Sequence, residues 1–543
     1  REIYLRGFER MVRNAHPWTI MSAYNRVNGV YAQGNKHLLT EILRDEWGFN
    51  GIVMTDWIGK RADLPIEQEI MAGNELMMPG YPVQEQDMMA AIKDGRLPME
   101  DVDRSVRRML EYIVRTPAFR KYPYSNNPDL KAHAAITRQS STEGMVLLKN
   151  NGCLPFANQG NGDTVALFGV NSYDFMSGGV GSGCVNVPYV VDMVTGLNNY
   201  NIHTTPQLTE IYQKYVAYAK PKLQADKNPL MWFLDQGQPK LDEIEISERC
   251  IRHEVDEAKV AIITIGRQAG EGIDRAINGE FTLTQLEQDL IAHVSDIFHE
   301  QGKPVIVIIN SGSVIETVSW RDRVDAILMA WQPGEEGGNA VADVLTGKAN
   351  PSGRLTMTWP VSVYDHWSTR NFPQDYDMYS YQRLTSRNRP IKGITYTNHE
   401  EGIYVGYRYF DTYHKQVAYP FGFGLSYTTF EYGKPSVKMK GDDIVVTVTV
   451  TNTGKVAGKE VVQIYVNAPE GGLDKPAKEL RAFAKTRELQ AGEKETLTMH
   501  ITKSDLASYD ESKQAWVVAP GTYTFMAAAN VNETRGTATL KIK

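Results

Sequence analysis

Residues 51–57 read Gly-Ile-Val-Met-Thr-Asp-Trp, a short apolar run that ends in one carboxylate with an indole directly after it. An apolar run of this length that follows a glycine is typical of a buried strand. Asp56 then lies where the strand should stop. Because barrel enzymes present catalytic groups at the carboxyl ends of their strands, the stretch predicts an α/β architecture and marks Asp56 as a candidate functional residue.

A second carboxylate follows another apolar run far downstream. Residues 260–265 read Val-Ala-Ile-Ile-Thr-Ile, and Glu271 comes shortly after them between two glycines. A retaining glycosidase needs one carboxylate that stays ionised as the nucleophile and a second that stays protonated as the acid. Different surroundings can hold two such groups in different protonation states. The pattern therefore favours glycoside chemistry, with Asp56 as nucleophile and Glu271 as general acid/base.

Simpler interpretations of the same residues stay open at this point. An aspartate after a strand is most often a helix cap or a turn residue, and a glutamate between glycines is usually just solvated. Trp57 is either a core residue or a platform for a sugar ring, and Tyr24 is either an ordinary strand-end aromatic or part of a site. The glycine-rich stretch 178–183 lacks the Lys-Ser/Thr of a Walker motif and the spacing of the dinucleotide fingerprint.

The composition excludes several classes of protein. The chain has 543 residues, of which 42% are hydrophobic and 23% charged, as in globular proteins of several domains. A net charge of -7 without any basic block argues against nucleic acid as a partner. The apolar runs are too short to cross a bilayer, so no membrane association is expected. Three widely spaced cysteines form neither a disulfide framework nor a zinc pattern and leave the compartment open.

The period of the apolar pattern divides the chain into four parts. Residues 1–120 contain about three strand–helix units, fewer than the eight that close a (β/α)8 barrel. Residues 121–360 alternate strands and helices as in an open α/β sandwich. Residues 361–431 are rich in Tyr, Pro, Asn and Arg and predict a long ordered linker, and residues 432–543 show the period of two that is typical of a β-sandwich.

These patterns predict individual elements as well. One is an amphipathic closing helix over 101–115, with Val102, Val106, Leu110 and Ile113 on one face. The other expected helices are 36–47, 65–71 and 284–298, and the expected strands are 18–24, 51–57, 165–169, 260–265, 304–309, 326–331, 444–450, 461–466, 495–500 and 521–525.

Several motifs together resemble glycoside hydrolase family 3, in the order usual for that family. Residues 21–29, 43–49, 51–57 and 72–80 resemble the second half of its barrel domain. Residues 143–150 resemble the entry to its α/β sandwich, residues 331–338 and 350–355 resemble the exit, and residues 421–427 resemble the run before its fibronectin type III-like domain. The resemblance covers essentially the whole chain and is greatest to bacterial three-domain β-glucosidases. It implies the C-terminal part of a (β/α)8-type barrel, then an α/β sandwich, then a fibronectin type III-like β-sandwich.

The resemblance also implies an activity and a set of site residues. The activity would be that of a retaining, exo-acting β-D-glucosidase on short β-linked oligosaccharides or aryl glucosides, with no metal or organic cofactor. Asp56 matches the family's nucleophile and Glu271 its acid/base. Residues that match the pocket for the non-reducing-end sugar are Tyr24, Trp57, Ser182 and, as a weaker match near the pocket wall, Met21.

One departure from the family pattern leaves alternatives open. Family members carry an aspartate, two arginines and a Lys-His pair on earlier barrel strands, and none of those segments is in this sequence. A second chain that supplies the missing half of the barrel is therefore one hypothesis about partners, and a homodimer is a separate one. The alternative functions are a β-xylosidase, a β-N-acetylglucosaminidase and an inactive carbohydrate-binding fragment. The second of these would use a His-Asp pair on a barrel loop as its acid/base, whereas this chain has Glu271 in its second domain.

Overall fold

The computed structural model describes residues 1–57, 63–156, 163–225, 240–268, 275–371 and 396–543. Contacts between Cα atoms divide the chain into two compact units, Arg1–Pro128 and Asp129–Lys543. The first unit holds the predicted barrel-type segment. The second holds the predicted α/β sandwich and β-sandwich.

The first unit is organised around two short parallel strands, β1 and β4. Ser22 of β1 lies opposite Thr55 of β4 in the register of this pair. The expected strands at 18–24 and 51–57 and the expected helices at 36–47 and 65–71 are confirmed. Its elements are α1 (Arg6–Ala15), β1 (Thr19–Ser22), the hairpin strands β2 (Arg26–Val27) and β3 (Val30–Tyr31), a π-helix (His37–Glu46), β4 (Ile52–Thr55), α2 (Ile66–Ala72), α3 (Pro82–Lys93) and α4 (Met99–Ile113).

A glycine at the start of β4 permits the close approach of β1. A Cβ atom at Gly51 would lie 2.2 Å from the carbonyl oxygen of Trp18, which backbone cannot accommodate. The Ile52 amide donates to that same Trp18 carbonyl at 3.0 Å. Glycine is therefore required where the stretch 51–57 begins.

The apolar face of helix α4 is more exposed than its pattern predicts. No residue of α4 is buried, and Val106, Leu110 and Ile113 are 50%, 57% and 42% exposed. Of the four apolar residues on that face, only Val102 packs against a core of this unit, and it is half-buried. Amphipathicity identifies the helix and its face but not whether a neighbour covers that face. The two cores of this unit are Val12, Leu39, Ile42, Leu43, Trp47, Phe49, Val53 and Ala72, and Ile66, Ile70, Met77, Ala91 and Leu97.

The second unit begins with an α/β sandwich around a six-stranded sheet in the order β5-β10-β9-β8-β6-β7. All neighbouring pairs are parallel except β10 with β5. The predicted strands are confirmed, and every residue of β8 and β9 is buried, so both faces of these strands are covered. The elements are α5 (Leu130–Gly144), β5 (Val146–Asn150), β6 (Thr164–Phe168), α6 (Met193–Asn198), β7 (His203–Thr204), α7 (Pro206–Ala225), α8 (Glu248–Glu257), β8 (Ala261–Arg267), α9 (Gln285–Glu300), β9 (Val305–Ser311), β10 (Ala326–Met329) and α10 (Gly337–Leu345).

A connecting region follows the sandwich. Strand β11 (Trp359–Pro360) pairs antiparallel with β12 (Val417–Tyr419), and helix α11 (Tyr407–Thr412) lies between them in sequence. Tyr407 and Phe410 of α11 are buried. Residues 372–395 of the predicted linker lie outside the described residues. The bounds of the linker and of the other predicted domains stay a prediction.

The C-terminal part is a β-sandwich of two four-stranded antiparallel sheets. One contains β13, β14, β15 and β18, and the other has the order β17-β16-β21-β22. Alternate residues of β15 are buried, as the period of two predicts. The predicted fold class is confirmed. The eight strands of these sheets are β13 (Phe430–Tyr432), β14 (Ser436–Lys440), β15 (Asp443–Asn452), β16 (Val461–Asn467), β17 (Glu479–Lys485), β18 (Lys494–Thr502), β21 (Gly521–Asn530) and β22 (Glu533–Ile542). Strands β19 (Ser508–Asp510) and β20 (Ala515–Val517) form a separate antiparallel pair.

Candidate active site

Asp56 directly follows Thr55, the last residue of β4, so it stands at the carboxyl end of that strand. Its side chain is half-buried, and its Oδ1 accepts a hydrogen bond from the Trp57 amide at 2.7 Å. A carboxylate that accepts a hydrogen bond is held in one orientation. The Trp57 side chain is 50% exposed, so this indole is not a core residue.

The parallel pairing of β1 and β4 brings further predicted site residues to the same edge. Met21 lies opposite Met54, and Ser22 opposite Thr55. Tyr24 follows two residues after the end of β1, as Asp56 follows β4, so both emerge at the carboxyl edge of the pair. Met21 is exposed and Tyr24 is half-buried.

Glu75 is a buried carboxylate that sequence reasoning missed, and it holds β4 in place. The Glu75 side chain is fully buried, and its Oε2 accepts from the Val53 amide at 2.8 Å and from Arg44 Nη2 at 2.7 Å. Its Oε1 accepts from Arg108 Nη1 at 2.7 Å. Burial lowers the pKa of Arg44 to about 10, which leaves it charged at neutral pH. Glu75 therefore links β4, the strand that precedes Asp56, to Arg44 of the π-helix and to Arg108 of α4.

A second polar network fixes the ends of β1 and β4. Ser22 Oγ donates to Asn74 Oδ1 at 2.8 Å, and Asn74 Nδ2 donates to the Gln33 carbonyl at 2.6 Å. Thr55 Oγ1 accepts from the Met78 amide at 2.8 Å. Each bond joins groups distant in sequence, so the ends of β1 and β4 are held by hydrogen bonds from other segments of the unit.

The other two predicted site residues belong to the second unit. Ser182 lies exposed in a 3-10 turn, Gly181–Gly183. Glu271 lies outside the described residues. The strand that precedes it in sequence, β8, ends at the carboxyl edge of the parallel sheet, where open α/β sheets bind their ligands.

Strand β8 ends in an arginine that is completely buried. Arg267 donates from Nη1 and Nη2 to the two carboxylate oxygens of Glu287, at 2.7 and 2.6 Å. Burial raises the pKa of Glu287, but the charge and hydrogen bonds of Arg267 outweigh it and lower that pKa to about 2. Glu287 also accepts from the Thr284 amide at 2.8 Å and so caps helix α9.

The structure brings four of the six predicted residues, Met21, Tyr24, Asp56 and Trp57, to one strand edge, and their roles stay predictions. Among the described residues, no group of three or more His, Cys, Asp or Glu side chains could hold a metal ion. Within the same ranges, every helix is too short or too polar to pass through a lipid bilayer.

Three family profiles match the chain in order. Residues 1–112 match the glycosyl hydrolase family 3 N-terminal domain, residues 145–427 match its C-terminal domain, and residues 460–531 match a fibronectin type III-like domain. The second match alone covers more than half of the chain.

Several relatives match most of the chain. Thermostable beta-glucosidase B of Acetivibrio thermocellus is 34% identical over 96% of this chain, which spans 63% of that protein. Exo-alpha-(1->6)-L-arabinopyranosidase of Bifidobacterium breve is 31% identical over all of this chain, which covers 66% of that protein. The structure of beta-glucosidase 3B from Thermotoga neapolitana in complex with glucose is 41% identical, with a TM-score of 0.90 over 100% of this chain and 73% of that one. The chain belongs to glycosyl hydrolase family 3.

Proposed function

We propose that this protein is a retaining, exo-acting β-D-glucosidase that acts on short β-linked oligosaccharides and aryl glucosides. The observation that supports it most is Asp56, a half-buried carboxylate at the carboxyl end of β4, within the region that matches the family's N-terminal domain. The names of two of the relatives, which are beta-glucosidases, support the choice of sugar.

The proposed first step forms a covalent glycosyl-enzyme. The ionised carboxylate of Asp56 attacks the anomeric carbon and forms a C–O bond as the bond to the leaving oxygen breaks. Glu271 gives its proton to that oxygen, so the aglycone leaves as a neutral alcohol or phenol. The exposed ring of Trp57 is a suitable surface for the apolar face of the sugar.

The proposed second step returns the enzyme to its starting state. Glu271, now ionised, removes a proton from water as the water oxygen attacks the anomeric carbon, and the bond to Asp56 breaks. Two displacements leave the configuration at the anomeric carbon unchanged. The scheme uses only carboxylates and water, so it needs neither a metal nor an organic cofactor.

Tyr24, Trp57, Ser182 and Met21 are proposed to line the pocket for the non-reducing-end sugar. A second candidate substrate class, α-L-arabinopyranosides, is favoured by the name of one relative that matches the whole chain. A panel of aryl glycosides decides between them. We expect the largest kcat/KM with β-D-glucoside, compared with α-L-arabinopyranoside, β-D-xyloside and N-acetyl-β-D-glucosaminide. A larger value for any of the other three would replace the glucosidase proposal.

The proposed partners are the substrates and further protein chains. The substrates are small glycosides, and neither nucleic acid nor a membrane is proposed as a partner. A second chain that completes the barrel, or a homodimer, is tested by measuring the mass of the active protein in solution, where a monomer would remove both.

Trapping the covalent intermediate tests the mechanism directly. A 2-deoxy-2-fluoro-β-D-glucoside with a good leaving group should inactivate the protein, because the fluorine slows both formation and hydrolysis of the glycosyl-enzyme while the good leaving group keeps its formation fast. Peptide mass spectrometry should then find the sugar on Asp56. Label on a different carboxylate would remove the assignment of the nucleophile, and the lack of any label would count against a covalent mechanism.

A further inference from the structure

We propose that Thr55 is a positioning residue for the nucleophile Asp56, because its hydroxyl group ends the pairing of β4 one residue before that aspartate. This inference rests on the proposed function. It assigns to Thr55 no contact with the substrate.

A segment that follows helix α2 runs beside β4 and pairs with it. Leu76 of this segment forms a parallel bridge with Met54. The Leu76 amide donates to the Val53 carbonyl oxygen at 3.2 Å, and the Thr55 amide donates to the Leu76 carbonyl oxygen at 2.9 Å. These two bonds form one repeat of a parallel ladder, in which the bonds to one neighbour recur at every second residue.

Side chains replace the backbone acceptors at the point where the next repeat would come. Continuation of the ladder would join the Met78 amide to the Thr55 carbonyl and the Trp57 amide to the Met78 carbonyl. Instead, the Met78 amide donates to Thr55 Oγ1 at 2.8 Å, and the Trp57 amide donates to Asp56 Oδ1 at 2.7 Å. The Met78 carbonyl accepts from Gln84 Nε2 at 3.3 Å. Strand β4 therefore ends at Thr55, and Asp56 is the first residue after it.

The Thr55 side chain is well placed for this exchange of acceptors. It is buried, with an exposed fraction of 2%, and a β-branched side chain has few rotamers. A hydroxyl that accepts from a backbone amide competes with the ladder for that donor. On the other side of β4, Thr55 lies opposite Ser22 of β1. The residue before Asp56 is thus held from both neighbouring segments.

The end of β4 matters because a nucleophile has to meet the anomeric carbon within a narrow range of distance and angle. Without the hydroxyl, the Met78 amide would need another acceptor, and the carbonyl of residue 55 is the one that the ladder offers. That bond would extend the pairing towards Asp56. It would also draw the Trp57 amide away from Asp56 Oδ1 and so release the carboxylate from its orientation.

The test separates the covalent step from binding of the sugar. Thr55→Val removes the acceptor but keeps a β-branched side chain. With 2,4-dinitrophenyl 2-deoxy-2-fluoro-β-D-glucoside, we expect the rate constant of inactivation to fall by about 10²-fold, the loss that a misplacement of about 1 Å can cause. The dissociation constant of the same reagent, obtained from the concentration dependence, should stay within about threefold, because Thr55 does not bind the sugar. An unchanged rate constant, with or without weaker binding, would overturn the inference.

A conservative variant isolates the hydroxyl group. Thr55→Ser keeps the acceptor for the Met78 amide, so its rate constant of inactivation should stay within about fivefold of the original value. A loss in this variant as large as that in Thr55→Val would overturn the role of the hydroxyl. If Thr55→Val does not fold, as judged by circular dichroism, Thr55→Ala takes its place with the same expectation.

A matched threonine in the same unit controls for a general loss of stability. Thr40 Oγ1 donates to the Ala72 carbonyl oxygen at 2.8 Å and so joins the π-helix to the end of α2. Thr40→Val should lower the thermal midpoint but leave the rate constant of inactivation within about twofold, because this bond has no part in the ladder beside β4. Equal slowing in Thr40→Val and Thr55→Val would mean that stability alone is responsible and would overturn the positioning role.

Labelling of the unchanged protein distinguishes failure of this inference from failure of the proposed function. If the fluorinated sugar is not found on Asp56 of the unchanged protein, the assignment of the nucleophile is wrong. If it is found there and Thr55→Val reacts as fast as the unchanged protein, only the role of Thr55 is wrong.

Discussion

Both units contain parallel strands, but the second unit buries its strands and helices more completely than the first. In the second unit, every residue of helix α10 is buried, and β8 and β9 are buried throughout. In the first unit, helix α4 has the stronger amphipathic pattern but no buried residue. The comparison teaches that a pattern of apolar residues specifies an element and its orientation, whereas the stability gained from it depends on the surface that covers it.

The two units should also differ in chemistry, since the nucleophile is assigned to one and the acid/base to the other. Substitution of the nucleophile should have the largest effect. Asp56→Asn should lower kcat by roughly 10⁴- to 10⁶-fold on every glucoside, because the covalent step is lost whatever the leaving group. Steady-state rates on aryl and alkyl glucosides provide the measurement. Near-normal turnover in this variant would end the assignment of catalysis to the end of β4.

Substitution of the acid/base should have a smaller and selective effect. Glu271→Ala should lose about 10²- to 10⁴-fold on cellobiose, where the leaving group needs a proton. It should keep measurable activity on a dinitrophenyl glucoside, and azide should raise that activity because it attacks the glycosyl-enzyme without a general base. A variant that loses both activities equally and gains nothing from azide would mean that Glu271 holds structure or binds sugar instead.

The difference in burial predicts a difference in stability effects. Ile308→Ala, on the fully buried strand β9, should lower the free energy of unfolding by about 2–5 kcal/mol. Leu110→Ala, on the exposed face of α4, should change it by less than about 0.5 kcal/mol. Denaturant unfolding of the two variants measures both values. A cost for Leu110→Ala as large as that for Ile308→Ala would show that the α4 face is covered in solution.

A modest effect on stability is expected from a link inside the second unit, between the α/β sandwich and the β-sandwich. Glu143, the penultimate residue of α5, accepts from Lys459 at 2.7 Å and from Lys485 at 3.2 Å. The hydrogen bond from Lys459 is the main cause that lowers the pKa of Glu143 from 4.5 to about 2. Because the folded-state pKa is depressed, the stabilisation is present above pH 4.5 and is lost as the pH falls towards 2.

We therefore expect Glu143→Gln to reduce stability by about 1 kcal/mol at pH 7 and to flatten the loss of stability between pH 4.5 and 2. Thermal midpoints of both proteins across this pH range measure the effect. If the two pH profiles run parallel, the link contributes nothing through this carboxyl.

Much of the fold follows from local pattern. Residues 51–57 predict a strand that ends before Asp56, and β4 ends at Thr55. Residues 284–298 predict a helix, and Thr284 caps α9. The contacts that follow β4 in the chain show no such local signal. Leu76 forms only an isolated bridge with Met54. The role of the Glu75 carboxylate depends on Arg44 and Arg108, which are far away in sequence.

The sequence by itself determined the order of elements, the family and the position of Asp56, because periodicity and motif spacing are local properties of the chain. Only the tertiary structure decided that Glu75 holds β4, that the face of α4 is exposed, and that Arg267 and Arg275 meet at the carbonyl of Glu280. The physical reason is that a backbone carbonyl is the same in every residue. Which distant side chain donates to it is therefore fixed by packing rather than by residue type.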